Sequence, residues 1–309
     1  MKICIAGKNN IAVWALRYLL HIGICRQDIF ILPNASDCGY DTWQYSLLKC
    51  AKDEKLKVVT LQDIYAMSDL LFISLEFDKL IDIEKFASRN LFNIHFSNLP
   101  KYKGAYTSIM PLLYGESEAG VTLHKIDSGV DTGDIVDQMT FAIGLQDSAR
   151  MLYDSYNKYA FLLFKQNLFH LLNGTYSVKK QSYIGGSYFS RKEIDFNNIV
   201  INLKKTSFEI HNQLRAFIFR EYQLPSICGV RIMESVLTQE FIGSNVLIDS
   251  RDCFIISGVD GFKILAYKDT YGGGGGEYLV AIWNLLAKCL TTLLCQCFLS
   301  QRLLLGVVR

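Results

Sequence analysis

Residues 91–100 are Leu-Phe-Asn-Ile-His-Phe-Ser-Asn-Leu-Pro, the pattern of a buried strand that runs into a polar turn. Asn93 and His95 alternate with apolar residues, and a period of two places both side chains on the same face of the strand. We therefore expect an amide and an imidazole side by side at the end of this strand. An amide that donates to an oxyanion and an imidazole that handles protons are the groups that acyl or formyl transfer needs.

A loop with two carboxylates follows further along the chain. Residues 127–133 are Asp-Ser-Gly-Val-Asp-Thr-Gly, and we expect Asp131 to lie beside His95, hold the imidazole in position and raise its pKa. Asp134 is the alternative carboxylate. Each of these residues alone has an ordinary structural explanation, such as a turn or a buried histidine, but together they predict a catalytic site.

The N-terminal region predicts the alternating strands and helices of an α/β fold with a parallel sheet. The apolar run 70–75 is typical of a buried parallel strand, and charged residues such as Glu76 and Lys79 follow it. Ligands of open α/β sheets bind at this carboxyl edge. Strands are predicted at 2–6, 28–32, 57–60, 70–75 and 91–96, helices at 11–22, 41–51, 108–114 and 146–172, and an antiparallel strand pair at 119–126 and 134–142.

The first strand is followed by Gly7 and then by a helix, an arrangement that places a helix N-terminus near an anion. The segment lacks the Gly-x-Gly-x-x-Gly pattern of dinucleotide-binding proteins, because Asn9 occupies the position of the second glycine. Asn9 and Asn10 are therefore interpreted either as capping residues of this helix or as ligands of a polar group.

The sequence pattern changes after Gly185 and Gly186. A helix at 206–217 precedes short strands, which predict a small β-rich second domain. We accordingly divide the chain into a catalytic domain at 1–185, a substrate-binding or dimerisation subdomain at 186–270, and an atypical tail at 271–309. The short strands are predicted at 226–233, 245–249, 253–257 and 262–267.

The tail begins with a run of five glycines, 272–276, followed by an apolar stretch at 278–299. The apolar stretch is long enough to span a bilayer, but Asn284, Lys288 and Gln296 interrupt it. A packed C-terminal helix is the second interpretation. Out-of-frame sequence is the third, since a run of guanines coding for the glycines is prone to slippage.

Composition sets limits on the partners and on the compartment. The 309 residues contain 32 basic and 30 acidic side chains, a balance that argues against a broad nucleic-acid-binding surface. Nine cysteines are scattered without Cys-x-x-Cys spacing, which favours reduced thiols and gives no zinc signature. The N-terminus does not have the pattern of a secretory signal. We expect a cytoplasmic protein that does not enter a membrane.

The motifs together resemble those of the folate-dependent formyltransferases. That family is characterised by Asn-x-His followed by Ser-x-Leu-Pro-x-x-Arg/Lys-Gly, and later by Asp-x-Gly-x-Asp-x-Gly. In this chain the motifs are residues 93–95, residues 97–104 with Lys103 where many members have arginine, and residues 127–133. The resemblance covers roughly residues 1–185. It implies a catalytic set composed of Asn93, His95 and Asp131, and we expect Asn93 and a protonated His95 to donate to the oxyanion.

Three further segments, 7–12, 74–79 and 215–225, resemble the N-formyltransferases of nucleotide-linked amino sugars. Those enzymes usually act on dTDP-linked amino-dideoxyhexoses made for bacterial surface glycans. The resemblance implies a Rossmann-like catalytic domain, N10-formyltetrahydrofolate as the formyl donor, no metal, and often a homodimer. The folate-binding residues that it implies are Phe77, Ile126, Asp127, Gly129 and Asp131.

A nucleotide-linked acceptor would need groups for a base, two phosphates and a sugar. Tyr222 is a candidate for stacking on the base, with packing against Phe219 as its structural alternative. Tyr106 is a candidate for contact with the sugar. The remaining candidates, for polar or phosphate groups of the substrate, are Asn9, Lys79, Arg215 and Arg220.

Other functions remain open at this level. A methionyl-tRNA formyltransferase shares the chemistry but would have a basic C-terminal domain. The net charge of +2 gives little support for such a domain. A purine-pathway formyltransferase would not need residues 186–270. A folate- or nucleotide-binding protein without catalysis would not require Asn93, His95 and Asp131 together. The sequence does not decide between an amine on C3 and on C4 of the sugar, nor between thymine and uracil.

Overall fold

A computed structural model describes residues 1–270 of the 309-residue chain. Residues Met1–Lys268 form one compact unit, and the second unit, Asp269–Arg309, lies outside the described residues apart from its first two. All three interpretations of the tail at 271–309 therefore fall outside the described residues. Within residues 1–270, none of the helices combines the length and the apolar character that crossing a membrane demands.

The helices and strands are numbered in chain order. The helices are α1 (Asn9–His21), α2 (Leu47–Asp53), α3 (Leu61–Tyr65), α4 (Met110–Leu113), α5 (Ala149–Asn173) and α6 (Ser207–Phe217). The strands are β1 (Lys2–Gly7), β2 (Ile29–Pro33), β3 (Lys57–Val58), β4 (Leu70–Leu75), β5 (Asn90–His95), β6 (Lys103–Gly104), β7 (Glu118–Lys125), β8 (Ile135–Ala142), β9 (Tyr188–Phe189), β10 (Ser226–Ile227), β11 (Val230–Phe241), β12 (Leu247–Asp249), β13 (Cys253–Ser257) and β14 (Phe262–Lys268).

The central sheet has the strand order β3-β2-β1-β4-β5-β7-β8. Its first five strands are parallel, and β7 and β8 are added antiparallel. Ile3 and Ile5 of β1 face the core that contains α1 and α5, whereas Cys4 and Ala6 face the opposite core. Both faces of the parallel strands are covered, which explains their nearly continuous apolar sequence. The architecture confirms the predicted Rossmann-like α/β fold.

A separate antiparallel sheet follows, with the order β10-β11-β14-β13-β12. Ile210 and Leu214 of α6 pack on this sheet against Phe254 and Ile256. The β-rich character predicted for the C-terminal region is confirmed. The proposed domain boundary at residues 185 and 186 remains a prediction.

Two predicted elements differ from the structure for local reasons. The helix predicted at 41–51 begins only at Leu47, because the Ser46 hydroxyl accepts the Lys49 N–H at 2.9 Å and caps the helix there. The strand predicted at 226–233 is interrupted by a turn in which Cys228 and Gly229 have φ values of +49° and +79°. Positive φ at both central residues is what a two-residue hairpin requires.

Candidate active site

A cavity of about 720 Å³, which we call the main cavity, opens at the carboxyl ends of β4 and β5. Asn93 and His95 both line it, as their alternation in the sequence predicts. Asp131 reaches it from the loop between β7 and β8. The sheet therefore gathers all three predicted catalytic side chains at the edge where α/β proteins bind ligands.

His95 lies between the loop after β5 and Asp131. Its Nε2 is 2.8 Å from the carbonyl oxygen of Tyr102, and its Nδ1 is 3.4 Å from Asp131 Oδ2. Because a carbonyl oxygen only accepts, Nε2 carries a hydrogen, and Nδ1 is the nitrogen that faces the carboxylate. Asp134, the alternative carboxylate, does not line the cavity.

Burial controls the charge state of the His95–Asp131 pair. It lowers the pKa of His95, and the opposing attraction of Asp131 does not compensate. Asp131 does act to raise the pKa of His95, as expected, but desolvation is the larger effect, so the net shift is downward. Burial also acts to raise the pKa of Asp131, but attraction to His95, the hydrogen bond from the Gly104 N–H and the nearby His124 outweigh it and bring that pKa to about 2. The resting site thus combines a carboxylate with an imidazole that favours its neutral form.

The loop that carries Asp131 is held by groups from two other segments. The Gly104 N–H donates to Asp131 Oδ2 at 2.9 Å. Gln181 Nε2 donates to the carbonyl oxygens of Asp131 and Gly133 at 2.9 and 2.8 Å. Asp131 itself has φ of +54°, a conformation that non-glycine residues adopt only when their surroundings impose it. Gln181 was not predicted, because a single glutamine after a helix carries no pattern.

A second histidine, His124, lies beside Asn93 and was not among the predicted site residues. Its Nε2 is 3.1 Å from Asn93 Nδ2 and 3.6 Å from Asp131 Oδ1, and its Nδ1 is 2.7 Å from the carbonyl oxygen of Lys125. His124 alternates with apolar residues along β7, which resembles an ordinary buried histidine. Only the pairing of β5 with β7, in which Asn93 and His124 are direct partners, identifies it as part of the site.

Glu76, at the end of β4, forms a buried network with Asn9 and Tyr153. The Tyr153 hydroxyl donates to Glu76 Oε2 at 2.8 Å, and Asn9 Nδ2 lies 3.2 Å from the same oxygen. Burial raises the pKa of Glu76 despite these hydrogen bonds. Asn9 therefore does not cap α1, whose N-cap is Lys8 without a side-chain hydrogen bond.

A second cavity of about 210 Å³ adjoins the N-terminus of α1, and Lys8 lines both cavities. Trp43, Gln44 and Tyr222 line the second cavity, and the Trp43 and Tyr222 rings lie 5.7 Å apart. Gln44 is only 6% exposed and accepts the Asn10 N–H through Oε1 at 2.9 Å. Within residues 1–270, its Nε2 has no hydrogen-bond partner. A buried amide donor without a partner is costly, so this cavity is suited to a ligand that carries an acceptor.

The predicted binding residues divide into those that line a cavity and those that do not. The prediction that Arg215 binds a phosphate of the substrate is wrong, because the side chain is buried. Its guanidinium donates to the Gly144 carbonyl, the Asp147 carbonyl and the Asn212 side chain. Arg220 lines neither cavity, and Tyr106 lies beside the main cavity with its hydroxyl bound to the Arg191 carbonyl. Lining the main cavity are Phe77, Lys79, Ile126, Asp127, Gly129 and Asp131, and lining the second are Asn9 and Tyr222.

Acidic, cysteine and histidine side chains do not form a metal centre in the described part of the chain. Among residues 1–270, no group of three or more of them could hold a metal ion.

Known proteins resemble this chain in sequence and in structure. A family model described as formyl transferase matches residues 71–166. WlaRD is a sugar 3N-formyl transferase that was crystallised in the presence of dTDP and 5-N-formyl-THF. It is 55% identical to this chain with a TM-score of 0.86, and the match covers 88% of this chain and 98% of the WlaRD chain. An N-formyltransferase from Helicobacter canadensis, in complex with folinic acid and dTDP-3-aminofucose, is 53% identical with a TM-score of 0.85. The match covers 87% of this chain and 99% of the Helicobacter canadensis chain. A methionyl-tRNA formyltransferase from Coxiella burnetii is 25% identical over 229 residues, 70% of this chain and 72% of that protein.

Proposed function

The chain belongs to the formyltransferase family, among the sugar N-formyltransferases, and we propose that it formylates the 3-amino group of a dTDP-linked amino-dideoxyhexose with N10-formyltetrahydrofolate as donor. The convergence of Asn93, His95 and Asp131 in one cavity carries the proposal. The acceptor is supported by WlaRD and the Helicobacter canadensis enzyme, which exceed 50% identity and were crystallised with dTDP or dTDP-3-aminofucose. The methionyl-tRNA alternative has weaker support, because the enzyme from Coxiella burnetii is 25% identical and that from Synechocystis is 31% identical over only 59% of this chain.

The main cavity fits a folate in both size and lining. Its volume of about 720 Å³ falls in the usual range for small-molecule sites. Phe77 and Ile126 supply apolar surface, and we assign the segment 126–131 to the edge of the flat ring system. Asp127 and Gly129 belong to that segment. The donor supplies the electrophilic formyl carbon when it is bound.

Asn93 stabilises the charge that develops on the formyl oxygen when the sugar amine attacks. From Asn93 Nδ2, one amide N–H faces His124 Nε2 at an N···N distance of 3.1 Å, and the other faces Asp131 Oδ1 at an N···O distance of 3.4 Å, which is too long for a strong hydrogen bond. This N–H therefore remains available to an oxyanion in the cavity. A donor of this kind contributes about 3 kcal/mol to lowering the barrier.

His95 handles the proton that the amine loses. Its lowered pKa keeps it neutral at rest, and Nδ1, the nitrogen without a hydrogen, accepts the proton as the new C–N bond forms. The adjacent Asp131 carboxylate stabilises the resulting imidazolium, and His95 then returns the proton to the leaving nitrogen. This assignment differs from a protonated His95 that donates to the oxyanion, because burial disfavours the charged ring in the resting site.

The acceptor extends from the main cavity toward the second one. We assign contact with the diphosphate to Lys8, which lines both cavities, and to Lys79, which lines the main cavity. The base enters the second cavity beside Trp43 and Tyr222, where the buried Gln44 Nε2 donates to a carbonyl oxygen of the pyrimidine. Tyr222 is 61% exposed although it also packs on Phe219, so a ring face remains accessible for stacking.

Cytoplasmic location, a homodimer and a role in bacterial surface glycans complete the proposal. The cysteines within residues 1–270 are all free thiols, which supports a reducing compartment. Sedimentation equilibrium tests the dimer, and a monomer at micromolar concentration contradicts that part.

The function is tested with a panel of acceptors. The enzyme is incubated with N10-formyltetrahydrofolate and dTDP- or UDP-linked sugars that carry the amine on C3 or C4, and products are read by mass. We expect one added formyl group on the dTDP-linked 3-amino sugar, and little on the same sugar 1-phosphate without the nucleoside. Product only with a charged tRNA or a purine precursor contradicts the proposal.

A further inference from the structure

His124 belongs to β7 and is 3% exposed in the wall of the main cavity. It is the direct cross-strand partner of Asn93 in the antiparallel pairing of β5 with β7. On its other side the pairing with β8 changes register between Leu123 and His124. Irregularities of this kind re-aim side chains near functional sites. The backbone thus directs the imidazole at the Asn93 carboxamide.

The contacts of His124 define which of its nitrogens carries hydrogen. Nδ1 lies 2.7 Å from the carbonyl oxygen of Lys125, and a carbonyl oxygen only accepts, so Nδ1 is protonated. Nε2 therefore presents a lone pair in the neutral ring. The group opposite that lone pair is Asn93 Nδ2 at 3.1 Å, which donates to it.

With His124 Nε2 unprotonated, the same network disfavours the reversed amide of Asn93. If the carboxamide of Asn93 were turned over, its oxygen would face both the Nε2 lone pair of His124 and the Asp131 carboxylate. In the observed orientation one N–H is bound by His124, and the second points toward Asp131 and the cavity. Asn93 can donate to a substrate oxygen only in this orientation.

We propose that His124 is a positioning residue, which fixes the amide of Asn93 with its free N–H toward the formyl oxygen. The inference rests on the proposed function, because it assigns to Asn93 the role of oxyanion donor. It also predicts that His124 is the Nδ1–H tautomer, and this prediction can be tested without measuring turnover.

The kinetic test is a double-mutant cycle. His124→Phe removes the acceptor at similar volume, and we expect kcat to fall about 10- to 100-fold, less than the roughly 10²- to 10³-fold cost of removing an oxyanion donor outright. KM and the affinity for dTDP should change little. His124→Gln, whose amide oxygen can take the place of Nε2, should recover part of the loss. In an Asn93→Ala background His124→Phe should have almost no further effect, because the two residues act as a unit.

Two kinetic results would overturn the inference. One is an undiminished kcat in His124→Phe. The other is an equal loss in both backgrounds, with His124→Gln no better than His124→Phe, which would indicate a merely structural role.

A second readout does not need activity. Imidazole ¹⁵N NMR of the full chain should show His124 as the Nδ1–H tautomer, and Asn93→Ala should shift its unprotonated Nε2 signal. An Nε2–H tautomer overturns the inference even if the enzyme is active. Absence of formyl transfer by the unmodified enzyme would instead contradict the proposed function, and the tautomer would still decide the role of His124.

Discussion

At the scale of single residues, the site depends on how His95 is enclosed. Its Nε2–H is bound by the Tyr102 carbonyl at 2.8 Å, so only Nδ1 is available for proton transfer. Burial makes the imidazolium unfavourable, and Asp131 at 3.4 Å partly offsets that cost. The pair therefore gives a base that is neutral at rest and stabilised once it has accepted a proton.

The pH dependence of kcat/KM tests this arrangement. With His95 as the base, kcat/KM should fall as pH drops through its pKa, which lies below the usual 6.5. Asp131→Asn removes the attraction that stabilises the imidazolium, so we expect the acidic limb to move to lower pH in addition to a loss of rate. Asp134→Asn, the same change outside the cavity, is the control. An acidic limb that stays in place or moves to higher pH in Asp131→Asn contradicts the assignment.

Sequence patterns predicted some of the active-site residues but not all of them. The alternation of Asn93 and His95 placed both on one face, because a strand has a fixed period of two. His124 could not be found this way, since its meeting with Asn93 depends on strand register across 31 residues. The charge state of His95 was predicted incorrectly because the depth of burial is a property of the assembled fold.

At the scale of elements, the catalytic loops hold unusual backbone conformations. Among residues 1–270, eight non-glycine residues have positive φ. Five of them lie around the two cavities, at strand ends, in loops or at the start of α1, each at a cost of about 1–3 kcal/mol. The five are Asn9, Glu76, Tyr102, Tyr106 and Asp131. At Asp131 the hydrogen bonds from Gln181 and Gly104 hold the loop in this conformation, and neither contact was apparent from local sequence.

Gly133 tests the importance of the loop that carries Asp131. A Cβ at this position would lie 1.8 Å from the Lys125 carbonyl oxygen, so Gly133→Ala must displace backbone next to Asp131. We expect turnover to fall strongly and stability to drop by about 1–3 kcal/mol. Gly186→Ala is the matched control, because its Cβ would meet its nearest neighbours at an ordinary 3.5 Å. Turnover in Gly133→Ala equal to that of the control would contradict a rigid role for the loop.

At the scale of the whole molecule, α6 connects the C-terminal sheet to the segment before α5. Arg215 donates to the carbonyls of Gly144 and Asp147, and His211 bonds Leu145 through Nε2 and Ser235 of β11 through Nδ1. The helix pattern at 206–217 was predictable, but the burial of its polar side was not. The sequence suggested a phosphate ligand at Arg215, whereas its role is to satisfy carbonyl groups between elements.

His211 predicts how stability depends on pH. Burial lowers its pKa in the folded state to about 4 from the usual 6.5. Between these values the unfolded chain binds a proton that the folded chain does not, so stability falls as pH drops from 6.5 to 4, by about 3 kcal/mol in total. His211→Gln, which keeps a donor for the Leu145 carbonyl, should lose that part of the dependence.

The measurement is the free energy of unfolding in urea as a function of pH. The exposed His21 is replaced by glutamine as the control. An unchanged pH dependence in His211→Gln would contradict the role of this buried histidine.

The central claim is that the cavity at the ends of β4 and β5 transfers a formyl group with His95 as its base. The most direct measurement compares formyl transfer to a dTDP-linked 3-amino-dideoxyhexose by the unmodified enzyme and by His95→Asn, with dTDP affinity determined for both. We predict one added formyl group with the unmodified enzyme, and a turnover lower by about 10²- to 10⁴-fold in His95→Asn at unchanged dTDP affinity. Near-normal turnover in His95→Asn would contradict the claim.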